Sequence, residues 1–287
     1  MVPRMKVYVS TTNFGFGSLP EVFSDLDHRP YRAVEISSGH PWDSRSWNVI
    51  SKYAREHNAA VLLHNYAPPG PDKLFINLSH PNLEEREKII AFLKSRIDYT
   101  AELGSDYYSF HGGYRVPYQF GVRSYDSSQR LDRRDALGIF VDGAIEVVAH
   151  GEARGVHVGV ENHVVERGNE DNLILYGIED FEFLLGAVNS DYLHVHLDVG
   201  HLKVTSRTMN VDKRAFLSQL GTKIMAAHLH ENDGIIDSHG LFGQDLWFLE
   251  VLVHLPGLRY ACLETSQQDQ ADIAAMMRIL EGANPAD

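Results

Sequence analysis

The residues of this chain best suited to chemistry stand one after another at the ends of apolar runs. Val61-Leu62-Leu63 leads into His64, and Tyr107-Tyr108-Ser109-Phe110 into His111. Val158-Gly159-Val160 leads into Glu161, and Val195-His196-Leu197 into Asp198, with His201 just beyond. Met225-Ala226-Ala227 precedes His228, with Asp237 and His239 in the segment that follows, and Ala261-Cys262-Leu263 precedes Glu264. Imidazoles and carboxylates without thiolate suit zinc, and manganese as well. A zinc ion takes about three or four protein ligands, with water in the open place of a catalytic site. These nine residues therefore suffice for up to three ions, with one or two carboxylates bridging. Four carboxylates against three dications leave about two positive charges, which attract an anionic or hydroxyl-rich substrate.

Two pairs lie close in sequence. In Asp198-Val199-Gly200-His201 the glycine is expected to let the backbone turn sharply after its strand. In Asp237-Ser238-His239 the spacing puts both side chains on one side of an extended loop. Neither pair says much alone in a chain with 16 histidines. Their weight comes from the company of His64, His111, Glu161, His228 and Glu264.

Positioning such a set requires a fold that brings strand ends together. Strands are expected over Lys6–Thr11, Ala33–Ser37, Ala60–His64, Tyr107–His111, His157–Glu161, Leu193–Asp198, Ile224–His228 and Tyr260–Glu264. Helical stretches alternate with them: Leu19–Leu26, Ser46–His57, Asn82–Leu103, Arg133–Arg154, Ile178–Ala187, Val211–Leu220, Gln244–His254 and Gln268–Glu281. The third is the clearest, with Glu84 and Glu85 in its first turn, Ile89, Ile90, Leu93 and Ile97 at helical spacing, and Gly104 closing it. Alternating strands and helices imply a parallel sheet, and eight units imply closure into a (β/α)8 TIM barrel of the α/β class. Long connections are expected after His64, His111, Glu161, Asp198 and His228, on the side where barrels carry their active sites. No composition break marks a linker, so residues 1–287 read as one domain.

At 287 residues, with 44% hydrophobic and 23% charged residues, the chain has the composition of a globular protein. No apolar run approaches the roughly 18 residues of a membrane helix, and Met1–Met5 enter the first strand too soon for a secretory signal. With Cys262 alone no intrachain disulfide forms, and a reducing cytoplasm is the expected setting. Cys262 shares the parity of Glu264 and is expected to point into the barrel as packing. The formal charge of −13 argues against nucleic acid, whose binders present basic faces. The densest basic grouping, Arg130, Arg133 and Arg134, is interleaved with Asp132 and Asp135.

Longer motifs add a resemblance. Leu63-His64-Asn65-Tyr66 and Phe75-Ile76-Asn77-Leu78-Ser79-His80-Pro81 resemble the third-strand region of the endonuclease IV and xylose isomerase-like barrel superfamily. Ala101-Glu102-Leu103-Gly104-Ser105, Ser109-Phe110-His111-Gly112-Gly113, Val160-Glu161-Asn162, Asp198-Val199-Gly200-His201, His228-Leu229-His230-Glu231-Asn232-Asp233-Gly234, Asp237-Ser238-His239 and Leu263-Glu264-Thr265 extend it over about residues 6–280. The resemblance to endonuclease IV implies a nine-ligand site for three zinc ions, with every position filled here. The resemblance to the sugar isomerases and epimerases implies one metal held by Glu161, Asp198, His228 and Glu264. Two departures favour the sugar branch. Where endonuclease IV carries a basic, aromatic loop, this chain has Ser37-Ser38-Gly39-His40-Pro41-Trp42-Asp43. Ala67-Pro68-Pro69-Gly70-Pro71-Asp72 and the run His230–Asp233 look more like sugar-phosphate isomerase/epimerase-type proteins.

The expected activity is therefore a metal-dependent isomerisation or epimerisation of a sugar or sugar phosphate. A metal would acidify a C–H beside a polarised carbonyl, and carboxylates would carry the proton. Glu161 and Glu264, expected from opposed parts of the barrel, are the candidate carriers, and His201 or His228 would steady substrate oxygens. The alternatives are a trinuclear zinc phosphodiesterase acting on abasic DNA and a barrel that keeps metal without catalysis. Arg115 and Lys203 are candidates to hold a phosphate or carboxylate, His230 to orient a ligand or meet substrate, and Trp42, Tyr66 and Phe75 to line a sugar pocket. His194 and His196 share inward parity but lie deeper, where a hydrogen-bonded core role is expected. His28, His57, His80, His150 and His254 fall in helices or distal loops and are expected to do no chemistry.

Overall fold

A computed structural model describes residues 5–119, 124–242, 247–252, 255–266 and 268–283. Eight parallel strands close into a ring: β1 (Lys6–Ser10), β2 (Ala33–Ile36), β3 (Ala60–His64), β4 (Tyr107–His111), β7 (His157–Glu161), β8 (Leu193–Asp198), β9 (Ile224–Leu229) and β10 (Tyr260–Leu263). β10 pairs back onto β1, Lys6 against Tyr260, so the sheet has no edge. The short antiparallel pair β5 (Tyr118–Gln119) and β6 (Ser124–Tyr125) interrupts the loop after β4. That hairpin has no counterpart in the sequence reading, because two-residue strands show no period.

Helices follow the strands on the outside: α1 (Leu19–Leu26), α2 (Ser46–Glu56), α3 (Leu83–Glu102), α4 (Arg133–Arg154), α5 (Ile178–Val188), α6 (Val199–Met209), α7 (Lys213–Leu220), α8 (Leu249–Leu252) and α9 (Gln270–Ala283). Their ends follow local chemistry. The Asn82 side chain accepts from Glu85 N at the start of α3, and Gly155 takes φ 68° at the end of α4. Ile89, Leu93 and Ile97 are buried against the barrel, each worth about 1.5–3 kcal/mol of hydrophobic stabilisation. The helix expected over Gln244–His254 is observed as α8, and His254 lies outside the described residues. Among the described residues no helix is long and apolar enough to cross a membrane.

One connection differs from expectation. No long loop follows Asp198, because α6 begins on the next residue. Asp198 is its N-cap, accepting from His201 N at 2.7 Å. The helix period was hidden there because Val199–Met209 merges into the apolar end of β8.

Inside the ring, strand parity stacks two layers. Tyr8, Leu62, Tyr107, Ala226 and Cys262 pack together in the interior. Two residues further along their strands stand Glu35, His64, Ser109, Glu161 and His228, with Asp198 level with His228 and two residues beyond His196 on β8. Gly159 makes the first layer possible, since a Cβ there would fall 1.9 Å from the Tyr107 hydroxyl.

Candidate metal centre and active site

The nine expected donors come together at the C-terminal mouth of the barrel. Glu161, at the end of β7, is their hub. Its Oε2 lies 3.2 Å from Nε2 of both His64 and His111, and its Oε1 lies 3.3 Å from His228 Nδ1 and 3.5 Å from His201 Nδ1. His228 Nδ1 also faces Glu264 Oε2 at 2.9 Å and Asp198 Oδ2 at 3.8 Å. Glu161, Asp198 and Glu264 therefore converge on one imidazole nitrogen. To one side His201 and His239 both turn Nε2 to Asp237 Oδ2, at 3.1 and 2.9 Å.

Neighbouring groups hold these rings. Ser109 Oγ lies 3.0 Å from His64 Nδ1, the Asn65 amide 3.0 Å from His111 Nδ1, and the Asn162 carbonyl 2.8 Å from His201 Nδ1. His239 Nδ1 donates to the Glu264 carbonyl at 2.7 Å. Each contact aims the other nitrogen inward. The Asp237–His239 pair was expected in an extended loop. Instead His239 adopts φ 45°, a left-handed conformation, and Gly240 pairs with Glu231 across the same loop.

The electrostatics describe a cluster in need of cations. Burial disfavours charge on His228, yet Glu264, Glu35 and Glu161 hold its pKa well above the usual value. Burial likewise opposes His201, and Asp198 and Asp237 overcome it. His239, despite burial, is carried up to about 9 by Asp237 and Glu264. Burial lowers His64 to about 4 in spite of Glu161. Burial would raise Glu161, but His111, His64 and His228 hold it well below the carboxylate range, and Glu264 is lowered against its own burial by His228. Protons on three imidazoles thus offset part of the carboxylate charge of the metal-free protein, and a surplus of carboxylate remains. Divalent ions suit the same positions. His64, His111 and Glu161 place donor atoms within 4.8 Å of one another, as do His201, Asp237 and His239. Glu161 Oε2, buried between two imidazoles, makes no hydrogen bond among the described residues. A third group, Glu161, Asp198, His228 and Glu264, shares Glu161 with the first.

Residues 14–281 match the xylose isomerase-like TIM barrel family. The chain belongs to that family. An uncharacterized protein of Methanocaldococcus jannaschii is 26% identical over 263 residues, 89% of this chain and 81% of that one. Among solved structures, a D-tagatose 3-epimerase-like protein is similar with a TM-score of 0.76 and 21% identity, over 97% of each chain. D-psicose 3-epimerase from Clostridium cellulolyticum, solved with D-tagatose, is similar with a TM-score of 0.67 and 14% identity, over 97% of this chain and 96% of that one. At these identities the structural likeness speaks for the fold.

Within this xylose isomerase-like barrel several expected roles are corrected. Glu161 and Glu264, expected from opposed parts of the barrel, reach the same imidazole nitrogen. β7 and β10 are three strands apart in the ring, and both carboxylates lean onto His228. His230, expected to orient a ligand or meet substrate, is fully buried with Nε2 3.1 Å from both Asp198 oxygens, so its ring is turned to Asp198. Gly200 serves this contact: its Cβ would sit 2.0 Å from His230 Cε1, so the glycine of Asp198–His201 clears space for a ring and does not make a turn. Lys203 donates to Glu231 and to the Asn232 carbonyl, both at 2.6 Å, and Arg115 donates to the Leu131 carbonyl with its guanidinium toward Asp171. Both cations are engaged in loop structure. Trp42, Tyr66 and Phe75 do share a cavity of about 610 Å³ with His40, Lys73 and Tyr118, lined by none of the nine donors.

His194 Nε2 meets His157 Nδ1 at 2.9 Å, and His196 Nδ1 meets the Tyr107 hydroxyl at 3.0 Å. His57, His80 and His150 hydrogen-bond locally, to Asp27, Asn82 and Asp98. Sequence reading missed Glu35, whose Oε1 accepts from His228 Nε2 at 2.8 Å. Its signal was inward parity on β2, in a strand searched only at its end.

Proposed function

We propose that this chain is a divalent-metal-dependent sugar isomerase or epimerase, with zinc or manganese held by Glu161, Asp198, His228 and Glu264. The observation that carries the reading is the convergence of three carboxylates on His228 Nδ1 at the barrel mouth. When bound there, a divalent ion would polarise a substrate carbonyl and its neighbouring hydroxyl and so acidify the C–H between them. Glu264, with a side chain 10% exposed against 1% for Glu161, is the carboxylate nearer the opening and the better placed to take the proton. Glu161, ionised at neutral pH, is its partner as proton carrier. His201, fixed between Asp198 and Asp237, hydrogen-bonds a substrate oxygen. The cavity of Trp42, Tyr66 and Phe75 suits the apolar face of a sugar. With Arg115 and Lys203 engaged, Lys73 is the described cation lining that cavity, and the neutral sugar is the favoured substrate. We read residues 1–287 as one domain, and the single buried Cys262 suits a reducing cytoplasm.

The test is solvent exchange. Metal-loaded protein incubated in D2O with ketohexoses such as D-tagatose and D-psicose, and with phosphorylated sugars, should exchange a carbon-bound hydrogen, read by NMR. Glu264→Gln should slow that exchange more than it weakens binding. One observation favours a second reading: His64–His111–Glu161 and His201–Asp237–His239 supply more donors than one ion needs. In that reading bound ions would supply an activated water for attack on a phosphodiester. Salt-sensitive nicking of abasic duplex DNA, with no exchange on any sugar, would reverse the ranking.

A further inference from the structure

Glu35 is a buried carboxylate inside the barrel, 1% exposed, that none of the roles above uses. Burying an ionisable group is costly unless it is paired and hydrogen-bonded. Here the Glu35 carboxylate accepts from two donors at one oxygen, Oε1: His228 Nε2 at 2.8 Å and Ser37 Oγ at 3.2 Å. Ser10 Oγ donates to Ser37 Oγ at 2.9 Å, so a chain of hydroxyls from β1 holds the carboxylate in place. The opposite edge of the same ring faces the proposed metal position, with Nδ1 2.9 Å from Glu264, 3.3 Å from Glu161 and 3.8 Å from Asp198.

A neutral imidazole has one N–H and one lone pair, so the nitrogen pinned as donor decides where the lone pair points. With Nε2–H committed to Glu35, it is the Nδ1 proton that an incoming ion displaces, and the lone pair is then left on Nδ1 among the three carboxylates. Without Glu35, the other tautomer could donate Nδ1–H to Glu264 Oε2 and leave no lone pair where a ligand is needed. The other imidazoles of the cluster are steered by hydroxyl, amide or carbonyl groups, at Ser109, Asn65, Asn162 and Glu264. His228 alone among them takes a full carboxylate on its far nitrogen.

We infer that Glu35 is a positioning residue that fixes the tautomer and ring angle of His228 and thereby sets the metal affinity of the Glu161–Asp198–His228–Glu264 group. The inference rests on that group being the metal position proposed above. Its chemistry is that of a carboxylate–histidine–metal relay, in which the outer carboxylate acts without touching the ion.

The experiment measures zinc affinity by competition with a chromophoric chelator, alongside the 15N signature of the His228 ring in zinc-loaded protein. In the wild type the ring should show Nδ1 metal-bound and Nε2–H protonated, with that proton slow to exchange. Glu35→Leu should weaken zinc at this position about 10–100-fold and lose the slow Nε2–H signal. Glu35→Gln, which keeps a near-identical shape and one acceptor oxygen, should lose less affinity than the leucine variant but still exchange its Nε2–H faster than wild type. If the leucine variant does not fold, the glutamine variant decides by itself. Unchanged zinc affinity and unchanged Nε2–H exchange in the folded variants would overturn the inference while leaving the metal reading intact. A wild type that binds no divalent ion at His228 would overturn the metal reading instead. A purely structural Glu35 would lower the unfolding midpoint and leave the ring signature as it was.

Discussion

The two ends of the barrel interior use the same residue types to opposite effect. At the N-terminal floor, His157 and His194 pair with each other, the Tyr260 hydroxyl donates to Asp106 at 2.5 Å, and Tyr8 packs edge-on against Tyr260. Burial, helped by neighbouring cations, lowers both histidines, His194 to about 4. The floor is thus neutral where it is deepest, and its polar groups are matched among themselves. At the mouth, Glu161, Asp198, Asp237 and Glu264 crowd the imidazoles, and His201, His228 and His239 keep their protons although burial opposes it. A matched set of partners makes a structural floor, whereas a surplus of carboxylates makes a site for cations.

The sharpest way to break this contrast is to remove the hub. Glu161→Ala should empty the positions it shares with His64, His111 and His228, and lower sugar exchange by about 10²–10⁴-fold. Tyr107→Phe, in the interior below, should leave metal content unchanged by elemental analysis. Equal losses in the two variants would show that the mouth is no more specialised than the floor.

A smaller effect should follow at the side of the cluster. Asp237→Ala should remove one ion and leave those on Glu161 and His228, because His201, Asp237 and His239 form a separable group. Unchanged stoichiometry would show that this group is not a ligand set. Stripping all metal with a chelator should lower thermal stability by about 2.7 kcal/mol for each ion lost, relative to protein held at a metal concentration a hundredfold above its Kd. The same difference should be seen in Asp106→Asn, which alters only the floor.

pH should separate the two ends by sign. His194 is depressed from its ordinary value to about 4, so the unfolded chain binds its proton first as pH falls. Its contribution is present above about pH 6.5 and is lost as pH falls through about 4. His239 is raised to about 9, so in metal-free protein its contribution is present below about pH 6.5 and is lost as pH rises through about 9. Each slope is at most about 1.4 kcal/mol per pH unit, and less in practice because both rings are partly exposed. Denaturant unfolding of metal-free protein against pH should show His194→Asn flattening the acid limb and His239→Asn the alkaline one. The smallest effect belongs to Tyr260→Phe, which should cost about 0.5–1.5 kcal/mol and leave metal binding alone.

Much of this molecule is legible in one dimension. Arg133–Arg154 is read to the residue, because Asp132, Gly155 and the apolar spacing between them are local signals. Six of the donors are legible for the same reason: His64, His111, Glu161, Asp198, His228 and Glu264 each stand at the end of an apolar run, on the parity that faces inward. α6 was missed because its N-cap is itself a donor, Asp198, and the apolar run of β8 continues into it. The glycine between Asp198 and His201 was misread, since its partner His230 lies thirty residues on.

The sequence by itself determined the alternation of strands and helices, the inward parity of the donors at strand ends and the surplus of carboxylate among them, since all three depend on neighbours along the chain. Tertiary structure decided which donors meet. Ring closure set Glu161 between His64 and His111 on one oxygen and His228 and His201 on the other, and brought Glu264 to the same His228 nitrogen. It also turned Glu35 of β2 to the far nitrogen of His228 on β9, 193 residues away. Contacts across the ring depend on how every strand tilts and registers when the sheet closes, and no local period records that.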